Sequence, residues 1–238
     1  MINQVKNYDV ICLSECWINS NSVLPSLPNF TCVYSPSNKL KSGGVTIYIS
    51  EKIKFNKLDI KLCSNDFEYA AIHLNHLNIV LLLMYRHPNS PIVNFFDFLT
   101  SIFTANEFSS REVIFLGDIN IDISKKTKIS VEYLEHLKRN NLSCLQTTST
   151  RVTDKSQTVI DHLFVSSHFS KNCLTKADFK ITDHNPIEFI SFSLLNNNRH
   201  NAKDIYLTSR PFTEKKYKAS ENLFSHAIGK LLIATVSL

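Results

Sequence analysis

Ile114-Phe115-Leu116-Gly117-Asp118-Ile119-Asn120 is the stretch on which the fold turns. Val113 to Leu116 is an apolar run of strand length and reads as a buried strand. It stops at a glycine and then presents Asp118 and Asn120. In an extended segment, residues two apart point to the same side. The spacing therefore predicts a carboxylate acceptor beside an amide that both donates and accepts. Such a pair at a strand end suits proton transfer or phosphate orientation. Taken alone, Gly followed by Asx residues equally describes a turn that closes a strand.

The flanking sequence supplies more strands and helices around this one. Tyr8–Leu13, Phe30–Tyr34, Val45–Ile49, Phe67–Leu74 and Leu77–Tyr85 read as strands, the last two joined at Asn75-His76 as a hairpin. Pro91 opens a helix whose apolar face is Val93, Phe96, Leu99, Ile102 and Phe103. A second helix is expected over Ser130–Asn140, capped by Ser130, with Val131, Leu134 and Leu137 on one face. Leu142–Gln146, Thr158–Val165 and Ile187–Leu194 complete the strands. Short connections imply antiparallel pairing, and the mixture predicts an α+β protein with two packed sheets and helices outside them. After Asn196-Asn197-Asn198 the pattern changes: a helix is expected over Ala219–Leu231, and the apolar Leu232–Leu238 has no evident partner. The expected division is one domain over 1–195 and a linker with an unassigned tail over 196–238.

Bulk properties narrow the class. The chain has 238 residues, 43% hydrophobic and 20% charged, enough for a sizeable core. Four glycines and seven prolines are too few for a low-complexity chain. A net charge of +5 is compatible with a polyanionic substrate without pointing to one. Cys12, Cys16, Cys32, Cys63, Cys144 and Cys173 form no CxxC pair, and several sit in apolar runs, as reduced buried thiols do. The first residues lack the apolar core of a signal peptide, and the longest greasy run, Ile79–Met84, is too short to span a bilayer. The expectation is an intracellular protein, nuclear or cytoplasmic, neither secreted nor membrane-bound.

Further polar residues recur at expected strand ends. Glu15 follows the first strand, where a carboxylate can bind a hard divalent cation. Tyr85, Arg86 and His87 close the Leu77–Tyr85 strand, where they can meet a phosphate. Asp161-His162 opens one strand and Asp183-His184 precedes another. Adjacent residues in an extended segment face opposite ways, so each Asp is better placed to orient the other pair's His than its own neighbour.

The order of these residues resembles the endonuclease/exonuclease/phosphatase superfamily. Leu13-Ser14-Glu15-Cys16-Trp17, Ser42-Gly43-Gly44-Val45, Leu116-Gly117-Asp118-Ile119-Asn120, Thr150-Arg151-Val152-Thr153, Ser156 to His162 and Asp183-His184-Asn185-Pro186-Ile187 look like the endonuclease domain of non-LTR (LINE-type) retrotransposons of the jockey kind. The resemblance implies a four-layer α/β sandwich of two mostly antiparallel sheets flanked by helices. It implies a DNA-nicking phosphodiester hydrolase that uses Mg²⁺ or Mn²⁺ and acts on double-stranded DNA. By the same resemblance Glu15 ligates the metal and Asp183 assists it or the water. Tyr85 contacts the scissile phosphate, and Asp118 activates water or serves the leaving group. Asn120 holds Asp118 or the phosphate, Asp161 pairs with His184, and His184 faces the phosphate. Thr150 and Ser156 are expected near the phosphate backbone.

The chain departs from the family at both ends. The family's first strand, which carries an Asn, has no counterpart before Tyr8, so an open sheet edge and a lost site donor are expected. Arg210-Pro211-Phe212-Thr213 resembles the linker ahead of a reverse transcriptase, but none follows. A phosphatase or phospholipase of the same superfamily, and a catalytically impaired remnant, stand as alternatives. The sequence does not give the oligomeric state.

Overall fold

A computed structural model of the chain describes residues 8–37, 39, 42–60, 66–145, 148–166, 173–176, 183–191 and 230–235. One sheet is built from β1 (Val10–Ser14), β2 (Phe30–Ser35), β3 (Val45–Ser50), β12 (Cys173–Lys176), β13 (Ile187–Ser191) and β14 (Lys230–Thr235), in the order β12-β13-β14-β1-β3-β2. The other holds β4 (Phe55–Lys57), β5 (Phe67–Leu74), β6 (Ile79–Arg86), β7 (Glu112–Asp118), β8 (Leu142–Cys144) and β11 (Asp161–Ser166), in the order β4-β5-β6-β7-β11-β8. A short hairpin of β9 (Arg151–Val152) and β10 (Gln157–Thr158) stands apart. The helices are α1 (Ile92–Thr104), α2 (Asn106–Ser109) and α3 (Lys128–Arg139).

Strand alternation decides which residues meet. On β6 the odd positions Ile79, Leu81, Leu83 and Tyr85 enter the core between the sheets, with Ile47, Ile49, Ile114, Leu116, Leu163 and Ile187. The even positions Val80, Leu82 and Met84 pack under the helices, with Phe95, Leu99, Phe115 and Tyr133. Burial on both faces explains why β6 reads as an unbroken apolar run. Each fully buried aliphatic or aromatic side chain contributes roughly 1.5–3 kcal/mol. Among the described residues all helices lie on this one sheet; on the other sheet's outer face Ile11 and Tyr48 pack with Leu27 and Phe30.

The α+β sandwich matches the expectation, and several local readings shift. β6 and β7 are parallel, because α1 crosses over between them. In α1 the buried face is Phe95, Phe98, Leu99, Ile102 and Phe103. Leu99, Ile102 and Phe103 are as expected, but Phe95 and Phe98 take the places expected of Phe96 and of Val93, which is 64% exposed. α3 begins earlier than expected and is capped by Thr127, with Ser130 at the third helical position returning the bond as a capping box. The expected strand over Thr158–Val165 is two strands, broken at Val159-Ile160. No helix among the described residues is long and apolar enough to cross a membrane.

The tail differs most from its reading. The edge beside β1 is not open: β14 pairs with β1 in parallel, from Val10↔Leu231 to Ser14↔Thr235, and with β13 antiparallel, from Ile187↔Ile233 to Ile190↔Lys230. Lys230 and Leu231 are strand rather than the end of a helix, and Leu232–Thr235 have partners on both sides. The rest of the expected Ala219–Leu231 helix, residues 192–194 of the expected last strand, and the linker motif at 210–213 lie outside the described residues.

Candidate active site

Three neighbouring strands end together at one rim of the second sheet. In register, Tyr85 of β6 lies beside Asp118 of β7, and Asp118 lies opposite Asp161 of β11. All three share the parity of the residues that enter the core between the sheets. The facing sheet contributes Glu15, which follows β1, and His184, which stands just ahead of β13.

Two hydrogen bonds close the gap between the sheets. The Tyr85 hydroxyl donates to Glu15 Oε1 at 2.6 Å. His184 Nδ1 meets Asp161 Oδ2 at 2.8 Å, with both side chains about 5% exposed or less. An ionised carboxylate only accepts, so Nδ1 carries the proton and Nε2 is left for chemistry. This is the cross-pairing that the two Asp-His dipeptides implied. His162, the other histidine, is fully buried between the Tyr133 hydroxyl and the Val159 carbonyl, and burial lowers its pKa to about 4.

Asp118 is 2% exposed, and its pKa is raised well above the usual carboxylate range. Burial is the main cause, with the charges of Asp161 and Glu15 adding to it. Burial also raises the Tyr85 phenol, helped by its bond to Glu15. One donor atom from each of Asp118, Asp161 and His184 falls within 4.8 Å of the others, a spacing that can hold a metal ion.

Local backbone geometry makes this convergence possible. Gly117 has φ +135, and a Cβ there would lie 1.8 Å from the Met84 carbonyl oxygen of the adjoining strand. Glycine is required so that β7 can approach β6 this closely just before Asp118. Glu15 and Asn120 both adopt left-handed backbones, φ 54 and 53. The expected extended Asp-x-Asn is thus a tight turn. The Asn120 backbone N–H donates to Asp118 Oδ1 at 3.1 Å, and its side-chain amide donates to the Arg86 carbonyl at 2.8 Å. Asn120 therefore braces Asp118. The Glu15 turn rests on Gly43 and Gly44 through bonds from the Trp17 and Cys16 N–H groups.

Other expected site residues are placed differently. Thr150 is 1% exposed, and its hydroxyl accepts from the backbone N–H of Ile160 and Asp161, 3.0 Å each. It clamps the start of β11. Ser156 is exposed in the β9–β10 turn, bonded to Thr153, away from the converging side chains. Asp183 accepts from Arg151 Nε at 2.7 Å. Partial burial pushes its pKa up, but the Arg151 bond and charge outweigh this and hold it below the usual range. Arg86 turns away from the site, over the Phe95 ring, and donates to the Ile119 and Ser90 carbonyls. His87 meets Glu68 Oε1 at 3.0 Å with its ring edge-on to Tyr85, and the Ser37 hydroxyl donates to the same oxygen.

Two contributors went unread in the sequence. Arg151 lies in a quoted motif, but nothing local signals that it will pair with an acid across the fold. Glu68 is the second residue of β5, opposite Tyr85, at a position where an apolar residue would look equally natural. Glu15, Tyr85 and His87, with Lys39 and Ser42, line an open groove of about 390 Å³. A larger hollow lined by Phe103, Arg111 and Ser166 lies towards the opposite end of β7 and holds none of these residues.

Comparison with known proteins agrees with this architecture. The model of the Endonuclease/Exonuclease/phosphatase family matches residues 1–184. Among solved structures, a 3'-5' exonuclease from Neisseria meningitidis is similar at a TM-score of 0.60 and 17% identity, covering 78% of this chain and 92% of its own. The endonuclease domain of TRAS1, a telomere-specific non-LTR retrotransposon, is similar at 0.59 and 14%, covering 79% and 87%. A Neisseria 3' phosphatase bound to product DNA hairpin follows at 0.55 and 18%, covering 75% and 87%. No curated protein matches.

Proposed function

The chain belongs to the endonuclease/exonuclease/phosphatase family, and on that footing we propose that it is a divalent-metal-dependent phosphodiesterase that nicks double-stranded DNA in the manner of a non-LTR retrotransposon endonuclease. The observation that carries the reading is the cluster of Asp118, Asp161 and His184 at the rim, with Glu15 facing it. The family consists of hydrolytic nucleases and phosphatases. The DNA-directed, nicking form of that chemistry rests on the motif wording, with the fold of the TRAS1 endonuclease domain alongside it.

The donor set fits a hard cation. Burial, and after it the charges of Asp161 and Glu15, raise the Asp118 pKa, and a divalent ion would relieve that crowding of acids. Glu15, Asp118 and Asp161 are the residues that would hold Mg²⁺ or Mn²⁺. Asp183, already neutralised by Arg151, would serve at the margin. The bound ion supplies charge neutralisation and polarises a phosphoryl oxygen.

The chain's own groups do the rest. Asp118, braced by Asn120, takes the proton of the attacking water or returns one to the leaving oxygen. Asp161 fixes the His184 tautomer, leaving Nε2 to donate to a phosphate oxygen when the ring is protonated. Tyr85 holds Glu15 in place and offers its hydroxyl at the edge of the groove, where a nucleic-acid backbone can lie.

The test is incubation of the purified chain with supercoiled plasmid and Mg²⁺, beside Asp118→Ala and His184→Ala. Nicking by the parent that both substitutions abolish supports the proposal. Hydrolysis of a small phosphoester without nicking would reassign the substrate. No turnover on either, with metal bound, would leave a non-catalytic domain.

A further inference from the structure

The slot between β1 and β13 is filled by the last described segment of the chain, the one furthest from β1 and separated from β13 by residues 192–229. β14 lies between them, parallel to β1 and antiparallel to β13. Antiparallel neighbours in a sheet are usually joined by turns of two to five residues, and such turns fix the register. Here residues 192–229 separate β13 from β14, a span far longer than such a turn. In sequence terms the pairing is the docking of a distant segment, and closing so long a span costs little more than closing one half its length. The family match ends at residue 184, so β14 lies outside the part of the chain that the family model describes. Leu231-Leu232-Ile233-Ala234 is apolar at consecutive positions, the pattern of a strand covered on both faces.

The position of the slot ties it to the rim. Glu15 follows β1 and His184 precedes β13, so β14 is the main-chain link in its sheet between the elements that carry them. β14 also packs against β7, whose last residue is Asp118. Its register runs towards the site: Thr235 is level with Ser14, the residue before Glu15. With β14 removed, β1 and β13 become two facing unpaired edges, and among the described residues no other strand of that sheet joins them.

We propose that Lys230–Thr235 is a separable docking strand whose seating between β1 and β13 sets the spacing of Glu15 and His184 across the site. The occupant of the slot is the chain's own C-terminal segment. Because it is joined by a long connection, the same strand can be supplied as a separate peptide. The inference concerns seating and spacing, and it stands whichever phosphoester the site hydrolyses.

The test uses the full chain with a protease site introduced between residues 196 and 229. After folding and cleavage, the C-terminal fragment should stay with the body through gel filtration. An excess of a fluorescent peptide of residues 228–238 should displace it. In the uncut chain, Ile233→Pro should raise amide exchange at least tenfold in Val10–Ser14 and Ile187–Ser191 while β5, β6 and β7 stay protected. If the site proves catalytic, nicking should fall with release of the strand and return with added peptide. The proposal is overturned if the cleaved fragment separates while Val10–Ser14 and Ile187–Ser191 keep their protection. It is also overturned if the peptide neither binds nor exchanges. Neither outcome bears on whether the chain hydrolyses DNA, which the alanine variants at the rim decide separately.

Discussion

Replacing Asp161 by Asn tests the link between the two sheets where it bears most on chemistry. The Asp161–His184 bond is 2.8 Å long and almost wholly buried. A hydrogen bond to a charged group contributes about 1.5–3 kcal/mol, against roughly 0.5–1.5 for a neutral pair. The carboxylate therefore holds the ring in its orientation by about 1–1.5 kcal/mol more than an amide can, or roughly tenfold in rate. A larger loss arises if the Asn amide donates to Nδ1, which moves the ring proton to Nε2; wrong-tautomer effects of this kind reach ~10⁴-fold in an unrelated triad enzyme. The expected outcome is a single-turnover nicking rate lowered between ~10 and ~10⁴-fold, at unchanged apparent DNA affinity. Stability should hold, since Thr150 grips the peptide N–H of residue 161 whatever its side chain, and Asp118 loses a repulsive neighbour. Plasmid nicking across a Mg²⁺ titration, with ¹⁵N NMR of the His184 ring, reads both halves. An undiminished rate refutes the reasoning. So does a loss that higher Mg²⁺ restores in full with the ring signals unmoved, because Asp161 would then serve the cation alone and have no part in orienting His184.

Three further outcomes follow from the same structure. Gly117→Ala places a Cβ 1.8 Å from the Met84 carbonyl at φ +135, and should destabilise the fold by ~3 kcal/mol or more in urea unfolding; a shift below ~1 kcal/mol contradicts the close approach. Burial lowers the His162 pKa from 6.5 to about 4, so the folded state resists the proton that the unfolded chain accepts. Stability should therefore be full above pH 6.5 and fall by about 3 kcal/mol as pH drops to 4, while His162→Gln flattens that slope in denaturant titrations. Arg151→Gln frees Asp183 and removes a cation beside the rim; the slope of log affinity for DNA against log salt should become shallower by ~0.9, the value of one phosphate contact, and an unchanged slope places Arg151 off the DNA path.

The cluster at the rim was more legible in the sequence than the scaffold that holds it. Asp118, Asp161 and His184 announce themselves because each sits where an apolar run ends, and the rim is where strands end. Their meeting follows from parity: Tyr85, Asp118 and Asp161 share the face of Leu83, Leu116 and Leu163. The α1 stripe was misread because Val93 and Phe96 fit a helical repeat as well as Phe95 and Phe98 do, and only packing under β6 and β7 selects between them. Asn120 was read as extended because nothing in its neighbours reveals a positive φ. β14 was illegible for a stronger reason: strand pairing across residues 192–229 leaves no local mark, and a short apolar tail looks the same whether it is docked or not.

The acids at the rim are not equivalent, and this bears on which of them meets a cation. Asp183 shares the Thr-Asp-His motif with His184, and by resemblance assists the metal. In the structure it holds Arg151 at 2.7 Å and is partly exposed, so its charge is already matched. Asp118 is in the reverse position: burial, and after it the charges of Asp161 and Glu15, raise its pKa. A divalent ion gains most where several carboxylates crowd together, and gains little at a carboxylate that must first give up a guanidinium. The pull on a metal therefore centres on Glu15, Asp118 and Asp161, two from one sheet and one from the other. An ion held there depends on the separation of the sheets. That separation is set by the Tyr85–Glu15 and His184–Asp161 bonds, while the strand seated between β1 and β13 spaces Glu15 and His184 within their own sheet, so the register of the scaffold decides the site as much as its residues do.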